Sequence, residues 1–236
     1  MNKITSSNQY FFNFQRDLNA SLDNFYFSKK NKILKNELDL FINDSHTQNL
    51  FISGGKGLGK TFLMNCALND KNFRDKKCLY IDIKNLNDNV KVFKEIDSFS
   101  VICIDNIHHS SKDIEVELFN LANKAFASNI KLLISSQLHI SQLNLFPDLL
   151  SRIKQMSCFS IEQISDDEVD DVINFMNLKL KLFFPKDIIE DISKIVRRDI
   201  SSIKDLFVEL EQFLYSEKRK PSKRTIMSYL KKTINR

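Results

Sequence analysis

The 236-residue chain is 42% apolar and 28% charged with a net charge of +5, which is the balance of a globular protein long enough for one well-buried core and a smaller attached unit. No apolar run approaches the ~18 residues that cross a bilayer and the N-terminus lacks the apolar stretch of a signal peptide, so no membrane-spanning helix is expected and the cytoplasm is the expected compartment. The four cysteines, Cys66, Cys78, Cys103 and Cys158, are widely spaced without a CxxC pair, which argues against a zinc site or disulfide framework and for buried reduced thiols.

Residues 1–20 are polar with an aromatic cluster and no clear period, and residues 31–44 carry a helical pattern. Asn49 to Ser53 is a short apolar run suited to a buried parallel strand. The chain's glycines follow at once, as Gly54, Gly55, Gly57 and Gly59. A sequence this sparing of glycine keeps it where the backbone needs positive φ or close approach without a Cβ. The window Gly54-Gly55-Lys56-Gly57-Leu58-Gly59-Lys60-Thr61 fits GxxxxGK(S/T), and Phe62 to Leu68 is helix material without a breaker. Strand, loop and helix start together make an anion site, because free N–H groups and the helix dipole converge there. On this reading residues 54–61 wrap the phosphates of ATP or ADP. Lys60 neutralises the β- and γ-phosphates, and the Thr61 hydroxyl holds Mg2+.

Cys78 to Ile83 and Ser100 to Asp105 read as further strands. In P-loop proteins such a strand ends in an Asp beside the metal, so Asp105 is the expected Mg2+ carboxylate. The next residue is Asn106, where many ATPases have a second acid. An amide orients water but does not accept its proton, so nucleotide binding is expected to outlast hydrolysis. His108 and His109 read as loop histidines rather than bases. Residues 113–128 have apolar positions at helical spacing, and Lys131 to Ser136 is a strand ending in hydroxyls. Strands alternating with helices predict an α/β fold with a parallel sheet covered on both faces. From about residue 166 the pattern turns all helical. Asp166 to Leu182 comes first, with Ser165 and Glu168 placed as a capping box. A helix from Pro185, another over Ser201 to Tyr215, a basic loop over 218–224 and a short last helix follow.

These motifs together resemble the AAA+ ATPases of the DnaA-like branch, and within it the Hda family of regulators. Leu22 to Ser28 is similar to the segment that in this branch packs near the adenine. The phosphate loop and Ile104-Asp105-Asn106-Ile107 continue the match, and the Asp-Asn pair is closer to the regulators than to DnaA. Glu117 to Asn123 is similar to the helix after that strand, and Phe146 to Ile153 to a "PDLxSR" segment. Ser202 to Leu206 falls where the lid carries a sensor arginine.

The resemblance implies an AAA+ nucleotide domain over 21–162 and a small all-helical lid over 163–236. Arg152 would be an arginine finger acting on a neighbouring subunit, and Asn106 and Ser136 would be polar sensors. Lys204 would stand where a nucleotide-contacting arginine is usual, keeping its charge without the bidentate fork. It further implies that residues 1–20 hold a docking peptide of the form QLxLxL for the β sliding clamp of DNA polymerase III. In Gln9-Tyr10-Phe11-Phe12-Asn13-Phe14, Gln9 would make the polar contact and Phe12 and Phe14 would fill the pocket. The implied partners are that clamp and DnaA, with a homo-oligomer compatible. The implied role is to stimulate ATP hydrolysis by DnaA, with weak or no hydrolysis of its own. The chain ends about where a lid would be complete, so no DNA-reading helix-turn-helix module is expected. Two other readings stay open: an autonomous AAA+ ATPase such as a DnaC-type helicase loader, and a DnaA-like initiator fragment.

Overall fold

A computed structural model describes residues 17–43, 49–86, 93, 96, 98–128, 130–196, 199–216 and 222–234. The segment Gln9 to Phe14, expected from the sequence to dock on a clamp, and most of the basic loop 218–224 lie outside the described residues. Strands β1 (Leu50–Ser53), β2 (Cys78–Asp82), β3 (Val101–Asp105), β4 (Lys131–Ser136) and β5 (Ser157–Ser160) form one sheet in the order β2-β3-β4-β1-β5. Every pairing is parallel.

Strand alternation explains why the sheet is covered on both faces. Leu50, Ile52, Val101, Cys103 and Leu133 join one apolar cluster, and their sequence neighbours Phe51, Ile102, Ile104, Leu132 and Ile134 join the other. The first face is packed by α1 (Lys32–Asn43) and α2 (Lys60–Asn69). In α1, Leu34, Leu38, Phe41 and Ile42 are the buried stripe, a spacing that presents one side of a helix. The second face is packed by α3 (Lys112–Ala127) and α4 (Pro147–Lys154). Pro147 starts α4, where its missing N–H is of no consequence, and Leu149 and Ile153 bury its inner side.

Helices α5 (Val169–Lys179), α6 (Lys186–Ser193), α7 (Ile200–Ser216) and α8 (Lys223–Ile234) complete the described chain. The capping pair works as the spacing suggests: the Glu168 carboxylate accepts from the Ser165 hydroxyl at 2.7 Å and its N–H at 3.3 Å. The buried Glu168 also accepts from the Lys29 N–H at 2.7 Å, which ties the helices to the N-terminal segment. Val172, Ile173, Ile203, Phe207, Ile226 and Leu230 are continuous with the cluster on the α2 face of the sheet, so these helices are anchored to the sheet by shared core.

Strand β5 and helix α4 were not anticipated as elements. Strand β5 has only four residues, with polar positions and the exposed Cys158 among them, so it carries no apolar run to read. No disulfide joins the cysteines, but the expectation that all four are buried fails: Cys66 and Cys103 are buried, Cys78 is half-buried and Cys158 lies exposed on this edge strand.

Candidate functional site

The carboxyl end of the sheet opens into a cleft of about 670 Å3 between the phosphate loop and helices α5 and α7, a size that suits a small-molecule ligand. Five lysines line it, Lys56, Lys60, Lys84, Lys179 and Lys204, against two aspartates, Asp17 and Asp82. Phe25, Met176, Leu180 and Ile200 supply an apolar wall. The cleft is therefore amphipathic, with cationic groups beside a surface suited to a flat apolar ring.

The phosphate loop joins β1 to α2. Gly57 and Gly59 have φ of 81° and 91°, a left-handed backbone that strains any residue with a Cβ. At Gly59 a Cβ would also lie 2.6 Å from Cε2 of Phe25. Gly55 differs: it has no positive φ, and a Cβ there would meet only Leu58 Cδ1, at 3.8 Å. Scarcity of glycine is thus a sound guide at Gly57 and Gly59 and not at Gly55. Lys60 is 7% exposed, and its ammonium donates to the carbonyls of Gly54 at 2.6 Å and Gly55 at 2.8 Å. Burial pushes its pKa down, while the nearby Asp105 charge acts in the opposite sense. The Ser201 N–H at the start of α7 reaches the Gly57 carbonyl at 3.3 Å, so α7 touches the loop directly.

Asp105 ends β3, fully buried. Its Oδ2 accepts from the Thr61 hydroxyl at 2.5 Å and the Tyr80 hydroxyl at 2.8 Å. Its Oδ1 accepts from the Asn106 N–H at 3.0 Å and from the Ser135 hydroxyl. Asn106 adopts a left-handed conformation, and its amide donates to Asp82 Oδ1 at 2.9 Å. Of the two hydroxyls ending β4, Ser135 and not Ser136 is on Asp105; the Ser136 hydroxyl accepts from the Leu138 N–H at 2.9 Å. The reason is parity. Register pairs Cys103 with Leu133, so Asp105 and Ser135 share a face and Ser136 points to the other. Tyr80 also escaped the sequence reading, although its place two residues before Asp82 puts it on that same face.

The remaining candidates fall at varying distance from this centre. Lys204 lines the cleft with its ammonium 5.1 Å from the centre of the Phe62 ring, a cation–π placement. Lys56 and Thr61 line the cleft, while Leu58 is buried in the core. Arg152 is on α4, outside the cleft lining, and its guanidinium donates to Gln155 at 3.2 Å rather than pairing with Asp148. The rings of His108 and His109 lie 4.2 Å apart. His108 Nδ1 accepts from the Gln137 N–H at 3.3 Å, and burial, then the neighbouring His109, push its pKa down.

The residues fit a nucleoside polyphosphate: the loop takes a left-handed backbone at Gly57 and Gly59, and a buried ammonium turned onto loop carbonyls stands ready to exchange them for phosphate oxygens. Among the described residues no cluster of three His, Cys, Asp or Glu could hold a metal by itself. Thr61 and Asp105 alone suit Mg2+, which is usually held by one or two protein groups together with substrate phosphates.

Residues 17–158 match the family model of the bacterial DnaA ATPase domain. A Haemophilus influenzae protein described as uncharacterized is 27% identical over 154 residues, covering 63% of this chain and 66% of that protein, so the chain spans about two thirds of that relative's length. Domain III of the Thermotoga maritima replication initiation protein DnaA superposes with a TM-score of 0.78 at 18% identity, covering 92% of this chain and 98% of that one. AMPPCP-bound DnaA from Aquifex aeolicus superposes with a TM-score of 0.71 at 17% identity, covering 85% and 67%. At such identities the likeness is one of fold.

Proposed function

The chain belongs to the bacterial DnaA ATPase-domain family, whose model spans residues 17–158, and from this we propose that it is a nucleotide-bound regulator of the Hda type that restrains replication initiation. In this reading the cleft holds ADP or ATP with Mg2+: the loop of residues 54–61, apart from the core side chain of Leu58, and Lys204 face the phosphates, Thr61 and Asp105 face the metal, and Asn106 and Ser135 orient polar groups around them. The AMPPCP carried by the Aquifex DnaA structure supports an adenine nucleotide. The metal would supply charge neutralisation at the phosphates. Asn106, locked onto Asp82, offers no carboxylate at its position to take a proton from water, which supports weak turnover in cis.

The observation that carries the regulatory reading is Arg152. It is half-buried, rests on Gln155 and stands outside the chain's own cleft. Such an arginine suits the nucleotide of a second molecule, and the proposed recipient is ATP-bound DnaA. Gln9, Phe12 and Phe14 would tether the chain to the DNA-loaded β clamp of DNA polymerase III. The test is phosphate release by DnaA with the loaded clamp and this protein. Turnover should rise with the wild-type chain, and Arg152→Ala should abolish the rise while clamp binding persists. A rise that survives Arg152→Ala would refute the finger.

A second reading is favoured by the 98% coverage of DnaA domain III: the chain could serve as an initiator-type ATPase module. Cooperative assembly on origin DNA in a gel-shift assay, with no effect on DnaA turnover, would select it.

A further inference from the structure

A carboxylate offers about four lone-pair positions, and the chain itself fills all of them at Asp105. Thr61 and Tyr80 take Oδ2, and the Asn106 N–H and Ser135 take Oδ1. A metal ion facing Asp105, directly or through a bound water, needs one of those positions back. The four donors are not equally able to yield. The Asn106 N–H is backbone, and Ser135 is buried within β4. Thr61 lines the cleft at the start of α2, and a hydroxyl oxygen can meet a cation while its hydrogen still points at Asp105. Tyr80 has no such double use. It stands on the neighbouring strand β2, 9% exposed, with its ring in the core cluster. Its hydroxyl donates to Asp105 Oδ2 at 2.8 Å, and a phenol has one proton to give.

We propose that Tyr80 is a positioning residue that occupies the metal-facing oxygen of Asp105, so that this site grips its nucleotide with little help from Mg2+. The inference rests on the nucleotide-holding reading above and adds to it a reason for binding without turnover. Mg2+ demands near-ideal octahedral geometry and gives up its waters reluctantly, so one blocked acceptor at a buried carboxylate weighs heavily.

The experiment is calorimetric titration of ADP into the full chain, once with excess Mg2+ and once with EDTA, for wild type and Tyr80→Phe. In the wild type the two affinities should nearly coincide. In Tyr80→Phe the affinity in EDTA should stay near wild type, while Mg2+ should improve binding by about threefold to tenfold, the scale of one neutral hydrogen bond. A purely structural role would weaken both titrations alike and leave their ratio unmoved. An unchanged ratio in Tyr80→Phe, or strong Mg2+ dependence already in the wild type, overturns the inference while leaving nucleotide binding intact. Absence of ADP binding by the wild type under both conditions overturns the nucleotide reading and this inference with it. If Tyr80→Phe lacks the wild-type circular-dichroism spectrum, the same ratio measured on Tyr80→Met decides.

Discussion

In the phosphate loop polar atoms are matched inside the chain: Lys60 is bonded to the Gly54 and Gly55 carbonyls and Thr61 to Asp105. On α4 the position is reversed, since Arg152 leans on Gln155 and, among the described residues, has no carboxylate partner. The contrast separates two kinds of functional residue. A group held by its own fold declares its ligand through burial and geometry. A half-buried guanidinium with five donors in a rigid fork that spends one of them on Gln155 names no ligand by its own geometry.

The sharpest way to break the comparison is to truncate each side. Arg152→Ala should lower stimulated ATP turnover by DnaA by ~10³- to 10⁵-fold, the worth of a finger supplied in trans. It should leave both ADP affinity and the melting temperature of this chain unchanged. Lys60→Ala should do the opposite, weakening ADP binding by roughly 10- to 100-fold through loss of charge-assisted bonds, as read by calorimetry. If Arg152→Ala also lowered this chain's own ADP affinity, the division between a site in cis and a group in trans would collapse.

Legibility in the sequence follows the same division. The parallel sheet was legible because its central strands are apolar on both faces, as Val101 to Ile104 show. The cradle was legible because Gly57 and Gly59 are backbone requirements. Partner choice around Asp105 was harder. Tyr80 and Ser135 reach it through strand register, and register between β2, β3 and β4 depends on pairings tens of residues apart. Read as part of an apolar strand, Tyr80 looks like core. Asp82 was likewise passed over inside the strand read from Cys78 to Ile83, although the pairing Asp82–Asp105 sets it beside Asn106. Strand β5 could not be read at all, because a short polar edge strand has no alternation to detect.

Within the loop, the glycines offer a smaller and more local test. Gly59→Ala should destabilise the chain by about 1–3 kcal/mol from the left-handed backbone, and by more if Phe25, 2.6 Å from the new Cβ, does not move. Gly55→Ala should change stability by under about 1 kcal/mol, since nothing at that position forbids a side chain. Thermal melts of the two variants give the comparison. Equal losses would show that the loop constrains Gly55 by means other than φ and local space.

The smallest effect concerns the turn after β3, where His108 sits beside His109. Its pKa is pushed down by burial first, then by His109 and by Lys60. A histidine depressed in the native state is neutral there while the unfolded chain still takes up its proton, near pH 6.5. Stability should therefore be level above that pH and fall as the pH drops below it, because the unfolded state binds more protons. Melts taken from mildly alkaline to mildly acidic buffer should show this decline, and His108→Gln should flatten it. Lys60→Ala should flatten it less, since Lys60 ranks behind burial and His109 among the causes. A slope that survives His108→Gln would place the responsible proton on another group and remove the electrostatic link between the phosphate loop and this turn.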